Sequence, residues 1–174
     1  MSEEERITAY RPCVGIMLIN QAHRVWVGLR RPKWAAGPAA HFWQMPQGGI
    51  WPGEDERAAA LRELEEETGV TSVEVLAEAP GWLSYDLPDD LMGIALKGRY
   101  RGQRQKWFAM RFTGPEQEID VAPRGRHKAE FAAWRWVAAG QLAGLIIPFK
   151  RQVYAEVVRE FAPWLSQPRP AAWS

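Results

Sequence analysis

The chain has 174 residues, of which 47% are hydrophobic and 25% are charged, and its formal net charge is +1. This length is enough to enclose one core, while the balanced charge excludes a global field that attracts nucleic acid, so any such binding must come from local patches. The single cysteine, Cys13, excludes an intramolecular disulfide. The sequence contains no run of about 18 apolar residues, which argues against a membrane span.

Apolar runs bounded by turn residues predict a series of strands and two substantial helices. The first helix is expected to start at Glu54 to Glu56 and to end at Gly69, and the second to span Phe149–Phe161. Residues 96–105 are expected to be basic and irregular, and residues 30–40, 46–53 and 116–128 to form loops. The predicted strands are Val14–Ile19, Val25–Leu29, Phe42–Met45, Val73–Ala77, Trp82–Leu87, Lys106–Thr113 and Ala132–Val137. Strands interleaved with helices predict an α/β protein whose mixed sheet is sandwiched by helices.

The ends of the chain and its cysteine usage carry further expectations. The acidic, polar start argues against a signal peptide, and a lone thiol in an apolar setting suits a buried position in a reducing cytosol. We therefore predict a cytoplasmic protein with no membrane contact and no obligate protein partner. One domain is expected over residues 10–165, between a flexible N-terminus at 1–9 and a disordered Pro/Ala-rich tail at 166–174.

The segment from Gly48 to Val70 is the most informative part of the sequence. Glu63, Glu66 and Glu67 are spaced i, i+3 and i+4, which places three carboxylates on one side of a helix. Such crowding gains nothing unless a positive charge lies between them, and Mg²⁺ or Mn²⁺ prefers oxygen ligands. The glycines Gly48 and Gly49 ahead of the helix allow the backbone to approach a phosphate. The alternative is an ordinary charged surface helix with solvated acids.

The fixed spacing of this segment resembles the Nudix box. Gly48, Glu54, Arg62-Glu63-Leu64, Glu66-Glu67 and Gly69-Val70 occupy the constrained positions over 23 residues. The resemblance implies an α/β/α sandwich and metal-dependent hydrolysis of phosphoanhydride bonds, with two or more Mg²⁺ or Mn²⁺ ions. It also implies that Arg62 and Glu54 support the catalytic acids, although Arg62 alone could be a surface ion pair.

A fourth acid, Glu130, is expected outside the box. Nudix relatives carry a metal-binding glutamate in a PEFxxWRW context, and here Ala129 replaces the proline. We therefore assign Glu63, Glu66, Glu67 and Glu130 to the metal, and Glu63, Glu67, Arg62 and Glu130 to catalysis. The general base is left open between Glu63 and Glu130.

Six further blocks narrow the resemblance to one subgroup of the family. They are YRPCVGIML, FWQMPQGGIWPGE, WLSYDLP, GQRQKWFAMRF, EFAAWRWV and PFKRQVYAEVVREF, and they extend from Tyr10 to Trp164. They resemble bacterial RNA pyrophosphohydrolases, also described as dinucleoside polyphosphate hydrolases. The resemblance implies removal of pyrophosphate or phosphate from the 5′ end of messenger RNA, which opens the transcript to decay.

Candidate substrate contacts come from basic and aromatic residues. Arg104 and Lys106 belong to a basic run that could contact phosphate and sugar, or could be a solvated loop. The resemblance places Phe149 against an RNA base with Arg31 on the other side, Lys150 at the base, and Tyr85 and Arg11 near the phosphates; Phe149 could instead be a core residue. Phe42 departs from the small polar residue of many relatives, and residues 32–41 are expected to differ as a lid.

Several readings follow from these residues. The first is an RNA 5′ pyrophosphohydrolase acting on RNA 5′ ends, and the second is a hydrolase of dinucleoside polyphosphates such as diadenosine tetraphosphate. A reading of another class is a catalytically silent Nudix scaffold that binds RNA or nucleotide as a regulator, and a nucleotide sanitiser is a weaker enzyme alternative.

Overall fold

A computed structural model describes residues 9–31, 42–93, 95–123 and 129–166. Its strands are β1 (Tyr10–Ile19), β2 (Val25–Arg30), β3 (Trp43–Gln44), β4 (Gln47–Gly49), β5 (Val73–Glu78), β6 (Leu83–Asp86), β7 (Gly102–Phe112) and β8 (Phe131–Val137). Its helices are α1 (Glu56–Thr68), α2 (Leu142–Leu145), α3 (Arg151–Glu160) and α4 (Ala162–Leu165). No helix within these ranges is both long and apolar enough to cross a membrane.

The eight strands form one mixed sheet. Its main path runs β3-β2-β1-β7-β5, with β4 paired to β1, β6 to β7 and β8 to β2. Strands β1 and β7 are parallel from Tyr10 opposite Gly102 to Ile19 opposite Arg111, and the other pairs are antiparallel. Because β4 pairs with β1, it carries the Gly48-Gly49 loop onto the centre of the sheet.

Alternation along the strands builds two cores on opposite faces of the sheet. Val14 and Ile16 of β1 share one core with Leu64 of α1, whereas Met17 and Trp107 share the other with Val157 of α3. The result is a helix–sheet–helix arrangement, as the sequence predicts. Cys13 is fully buried, also as expected.

Helix α1 has the boundaries that its end residues predict. The Asp55 carboxylate accepts a hydrogen bond from the Ala58 N–H at 3.0 Å, which caps the first turn. Gly69 ends the helix at φ 75°, and its N–H donates to the Glu65 carbonyl. A side chain at this left-handed position would be strained, so the sequence itself stops the helix here.

Several boundaries differ from the predicted ones, including the start of β1, which is Tyr10 instead of Val14. Strand β7 begins at Gly102, so the prediction that residues 96–105 are irregular is wrong for the last four. The predicted loop at 46–53 contains β4, and the predicted helix at Phe149–Phe161 is a 3₁₀ turn at Pro148–Lys150 followed by α3. The lid at 32–41, and all of the expected flexible ends except Ala9 and Ser166, lie outside the described residues.

Candidate active site

A cleft of about 440 Å³ opens where α1, β4 and β7 meet the Pro148–Lys150 turn. Its lining combines acids with cations, amides and aromatic rings. The charged and polar lining residues are Glu63, Glu67, Glu130, Arg11, Arg30, Lys150, Gln47 and Gln103. The remaining lining residues are Gly48, Gly49, Tyr85, Leu87, Ala95, Leu96 and Phe149.

Glu67 lies deepest among the acids and is only 9% exposed. Burial raises the pKa of its carboxyl well above the usual range, and the charges of Glu63 and Glu130 raise it further. The Gln47 backbone N–H donates to its Oε2 at 3.2 Å. Burial also raises the pKa of Glu63, despite a hydrogen bond from Arg62.

Arg62 holds the acids of α1 and the glycine loop together. Its Nε and Nη2 donate to the two oxygens of Glu54, each at 2.9 Å, and Nη2 also donates to the Gly49 carbonyl at 2.8 Å. Its Nη1 donates to Glu63 at 2.9 Å and to Glu66 at 3.2 Å. The hydrogen bond to Glu54 raises the pKa of Arg62 and lowers that of Glu54. One guanidinium therefore fixes three carboxylates relative to the loop.

The carboxylates suit a hard divalent ion as a donor set. Among the described residues, no three acid, histidine or cysteine side chains are already spaced to hold an ion as a group. Glu63, Glu67 and Glu130 nevertheless face one cleft, and the charges of Glu63 and Glu130 raise the pKa of Glu67. A cation between them would turn that repulsion into attraction, once the side chains turn toward it.

The two loop glycines leave room for charged side chains. A Cβ at Gly48 would overlap the Glu63 carboxylate, and a Cβ at Gly49 would lie 2.5 Å from the Arg11 Nη2. Close packing of Glu63 and Arg11 on the loop is thus a second reason for glycine, besides the approach of a phosphate.

Tyr85, Phe149 and Lys150 form the aromatic side of the cleft. The Tyr85 and Phe149 ring centroids are 5.6 Å apart, and the Lys150 Nζ lies 5.2 Å from the Tyr85 centroid. Phe149 is partly buried against the core of α3. Burial raises the pKa of Tyr85, so its phenol is a neutral hydrogen-bond donor at physiological pH.

Comparison with known proteins places this geometry in a family. The NUDIX domain profile matches residues 9–161. The chain belongs to the Nudix family. The predicted family and its α/β fold are confirmed, and Nudix enzymes typically depend on divalent metals.

Relatives of this Nudix chain carry the name RNA pyrophosphohydrolase. One from Bradyrhizobium diazoefficiens is 60% identical over 154 residues, covering 88% of this chain and 92% of the relative. One from Brucella abortus is 57% identical over 155 residues, covering 87% of each chain.

Solved structures share the Nudix fold at low identity. The Escherichia coli dihydroneopterin triphosphate pyrophosphohydrolase has a TM-score of 0.63 at 21% identity, covering 87% of this chain and 99% of that one. A Caenorhabditis elegans Ap4A hydrolase complex has a TM-score of 0.60 at 17% identity, covering 88% and 98%.

Six predicted site residues do not line the Nudix cleft, and two of them are Arg62 and its partner Glu54, which lie behind the acids of α1. The Arg104 guanidinium lies 4.5 Å from the Trp82 ring centroid, and the Lys106 Nζ lies 3.4 Å from a Glu78 oxygen. Arg31 is exposed, and its backbone N–H donates to the Glu130 carbonyl. Glu66 lies on the Arg62 side of α1. The other predicted cleft residues, Arg11, Tyr85, Glu130, Phe149 and Lys150, are brought together with Glu63 and Glu67.

The predicted site residues did not include Arg30, Gln47 and Gln103. Gln103 lies opposite Tyr85 in the β6–β7 pair, so both side chains are on one face of the sheet. With β7 starting at Gly102, alternation places Gln103 toward the cleft and Arg104 away from it. Had the predicted strand begun at Gly102 instead of Lys106, the sequence alone would have assigned Gln103 to the cleft and Arg104 to the opposite face.

Proposed function

We propose that this chain is an RNA pyrophosphohydrolase that removes pyrophosphate or phosphate from the 5′ end of RNA and so opens transcripts to decay. The observation that carries the proposal is that one cleft brings carboxylates together with cations and aromatic rings. A phosphate chain with a base at its end requires both kinds of group. The RNA pyrophosphohydrolases at 57–60% identity support the same substrate. A protein that acts on transcripts would work in the cytoplasm, and we propose that localisation.

The residues divide the reaction among them. Arg11, Arg30 and Lys150 supply positive charge for the phosphate chain, while Phe149 and Tyr85 form an aromatic wall for a base. Glu63, Glu67 and Glu130 would hold Mg²⁺ or Mn²⁺, with Glu66 completing the set for more than one ion. When bound, such ions neutralise developing charge and lower the pKa of an attacking water.

Hydrolysis then requires one attack and one proton transfer. A water oxygen bonds to phosphorus, the bridging P–O bond breaks, and the leaving phosphate keeps the bridging oxygen with its electron pair. The proton of the water passes to a carboxylate, either Glu63 or Glu130. Arg62 keeps Glu63 in place for this step through its hydrogen bond.

Substrate choice is tested by direct comparison. Hydrolysis of 5′-triphosphorylated RNA, 5′-diphosphorylated RNA and diadenosine tetraphosphate would be measured at equal concentration with Mg²⁺. We expect the highest kcat/KM for one of the RNAs. A higher value for diadenosine tetraphosphate would favour the dinucleotide reading, and no turnover of any substrate would favour the silent scaffold.

Replacement of Phe149 by alanine is expected to slow the hydrolysis of RNA but not that of inorganic triphosphate. Stacking on an aromatic ring contributes about 1–3 kcal/mol per base, so RNA processing should fall about ten- to hundredfold. Inorganic triphosphate has no base and should be hydrolysed at an unchanged rate. Since Phe149 also packs on the core, the thermal midpoint is measured on the same variant. Equal losses on both substrates with a lower midpoint would assign Phe149 to the core.

Arg11 and Arg104 form a matched pair of variants. Arg11 lies in the cleft and Arg104 outside it. Arg11→Ala should therefore weaken binding of a two-nucleotide triphosphorylated RNA roughly tenfold. Arg104→Ala should have a much smaller effect on binding of the same RNA. One lost phosphate contact also lowers the salt slope by about 0.7 for a single strand. Affinity measured across a salt series checks both statements. A larger effect of Arg104→Ala would return that residue to the substrate site.

A further inference from the structure

A buried chain of hydrogen bonds reaches the cleft from the core. The Trp107 indole Nε1 donates to Gln105 Oε1 at 3.0 Å. The Gln105 Nε2 then donates to Gln103 Oε1 at 2.9 Å and to Gln47 Oε1 at 3.1 Å. Gln103 and Gln105 are 3% and 2% exposed, yet Gln103 and Gln47 line the cleft.

The polarity of this chain is fixed at its buried end. An indole N–H is a donor only, so the oxygen of Gln105 must face Trp107. Its NH₂ must then face the other two glutamines, which accept with their oxygens. The NH₂ groups of Gln47 and Gln103 are left without an acceptor among the described residues. Two amides therefore offer their NH₂ donors to the cleft.

We propose that Gln47 and Gln103 donate hydrogen bonds to oxygens of the 5′ phosphate chain, and that Trp107 and Gln105 are positioning residues that fix this polarity. The inference rests on the proposed function, because ionised phosphate oxygens accept hydrogen bonds and do not donate them. The Gln47 backbone N–H donates to Glu67 at 3.2 Å, so the residue that carries one of the two side-chain amides lies beside the acids, where the reacting phosphates must lie.

Amides are suited to this place for an electrostatic reason. A lysine or arginine in place of Gln47 would add positive charge beside Glu67, whose negative charge the metal requires. A neutral NH₂ binds phosphate without removing negative charge from the acids. A ligand group that can only donate would leave these two NH₂ groups without an acceptor.

The test uses the full chain at fixed Mg²⁺ with two probes. Methylenediphosphonate supplies phosphate oxygens and has a bridging carbon that water cannot cleave, while 5′-hydroxyl RNA supplies bases without 5′ phosphates. Gln105→Met frees both amides to rotate, so we expect about tenfold weaker binding of methylenediphosphonate. Binding of 5′-hydroxyl RNA should be unchanged. Equal weakening of both probes, or of neither, would overturn the proposal.

Coupling between sites separates positioning from general packing. In a Gln47→Met, Gln103→Met background there is no amide left to orient, so adding Gln105→Met should change phosphate affinity by less than twofold. A further tenfold loss in that background would show that Gln105 acts in another way and would overturn the proposal.

Tryptophan variants supply a matched control. Trp107→Phe removes the indole donor of the chain, and Trp26→Phe removes a fully buried indole N–H that has no partner among the described residues. We expect weaker phosphate binding in the first variant only. Equal loss in both would overturn the polarity argument, and if Trp107→Phe does not fold, Gln105→Met still decides. Absence of RNA hydrolysis by the unaltered protein would defeat the proposed function, while phosphonate binding would still report on the amides.

Discussion

Glu67→Gln is expected to lower turnover by at least about 10², the order found when a principal charge-stabilising group of an active site is removed. The substitution keeps the size of the side chain and its place beside the Gln47 N–H, but it removes the deepest negative charge of the cleft. Single-turnover rates on triphosphorylated RNA at saturating Mg²⁺ would measure the loss. Glu65→Gln is the control, because Glu65 is exposed on the same helix. Near-normal turnover in Glu67→Gln would remove Glu67 from the catalytic acids.

The same variant should be more stable than the unaltered protein when metal is chelated. The folded state raises the pKa of Glu67, chiefly through burial, so ionising this carboxyl costs stability. That cost is absent below the unfolded pKa of about 4.3, grows as pH rises above it, and levels off above the folded pKa. The stabilising effect of Glu67→Gln in urea unfolding should therefore appear at pH 7 and vanish near pH 4. A difference that is independent of pH would contradict this assignment.

Local signals explain which parts of the site were predictable. The start and end of α1 and the spacing of its acids depend only on residues close together in the chain, so they can be predicted from the sequence. The contact between Arg62 and Glu54 spans eight residues and was also expected. These features form the acidic half of the cleft.

The other half depends on pairing between distant strands. Gln103 reaches the cleft because β7 pairs with both β1 and β6, which brings it beside Tyr85 and Arg11. A one-residue difference in strand register would place Arg104 there instead. Arg104 was predicted as a substrate contact because its charge can be recognised in the sequence. The orientation of the Gln103 amide depends on a hydrogen bond from the buried Trp107 to Gln105, and this bond is known only from the structure.

Arg62→Met should have the largest effect on stability. Five hydrogen bonds end on this side chain, which is only 15% exposed. Its removal leaves Glu54, Glu63 and Glu66 without that donor and leaves them to repel one another. Breaking one partner of a largely buried ion pair costs about 3–5 kcal/mol, and we expect a loss of unfolding free energy in that range at pH 7. Arg57→Met, an exposed position on the same helix, should stay within about 0.5 kcal/mol of the unaltered protein.

The loss in Arg62→Met should also depend on pH. The hydrogen bond from Arg62 lowers the folded pKa of Glu54, so this pair contributes stability above the unfolded pKa of about 4.3 and loses it as pH falls through the folded value. The difference between the two proteins should therefore narrow on acidification below about pH 4. Arg62→Lys should fall between them, because an ammonium keeps the charge but cannot match both Glu54 oxygens and the Gly49 carbonyl with one planar fork. If Arg62→Lys equals the unaltered protein in stability and turnover, charge alone holds the acids, and the fork geometry of Arg62 has no role in placing Glu63.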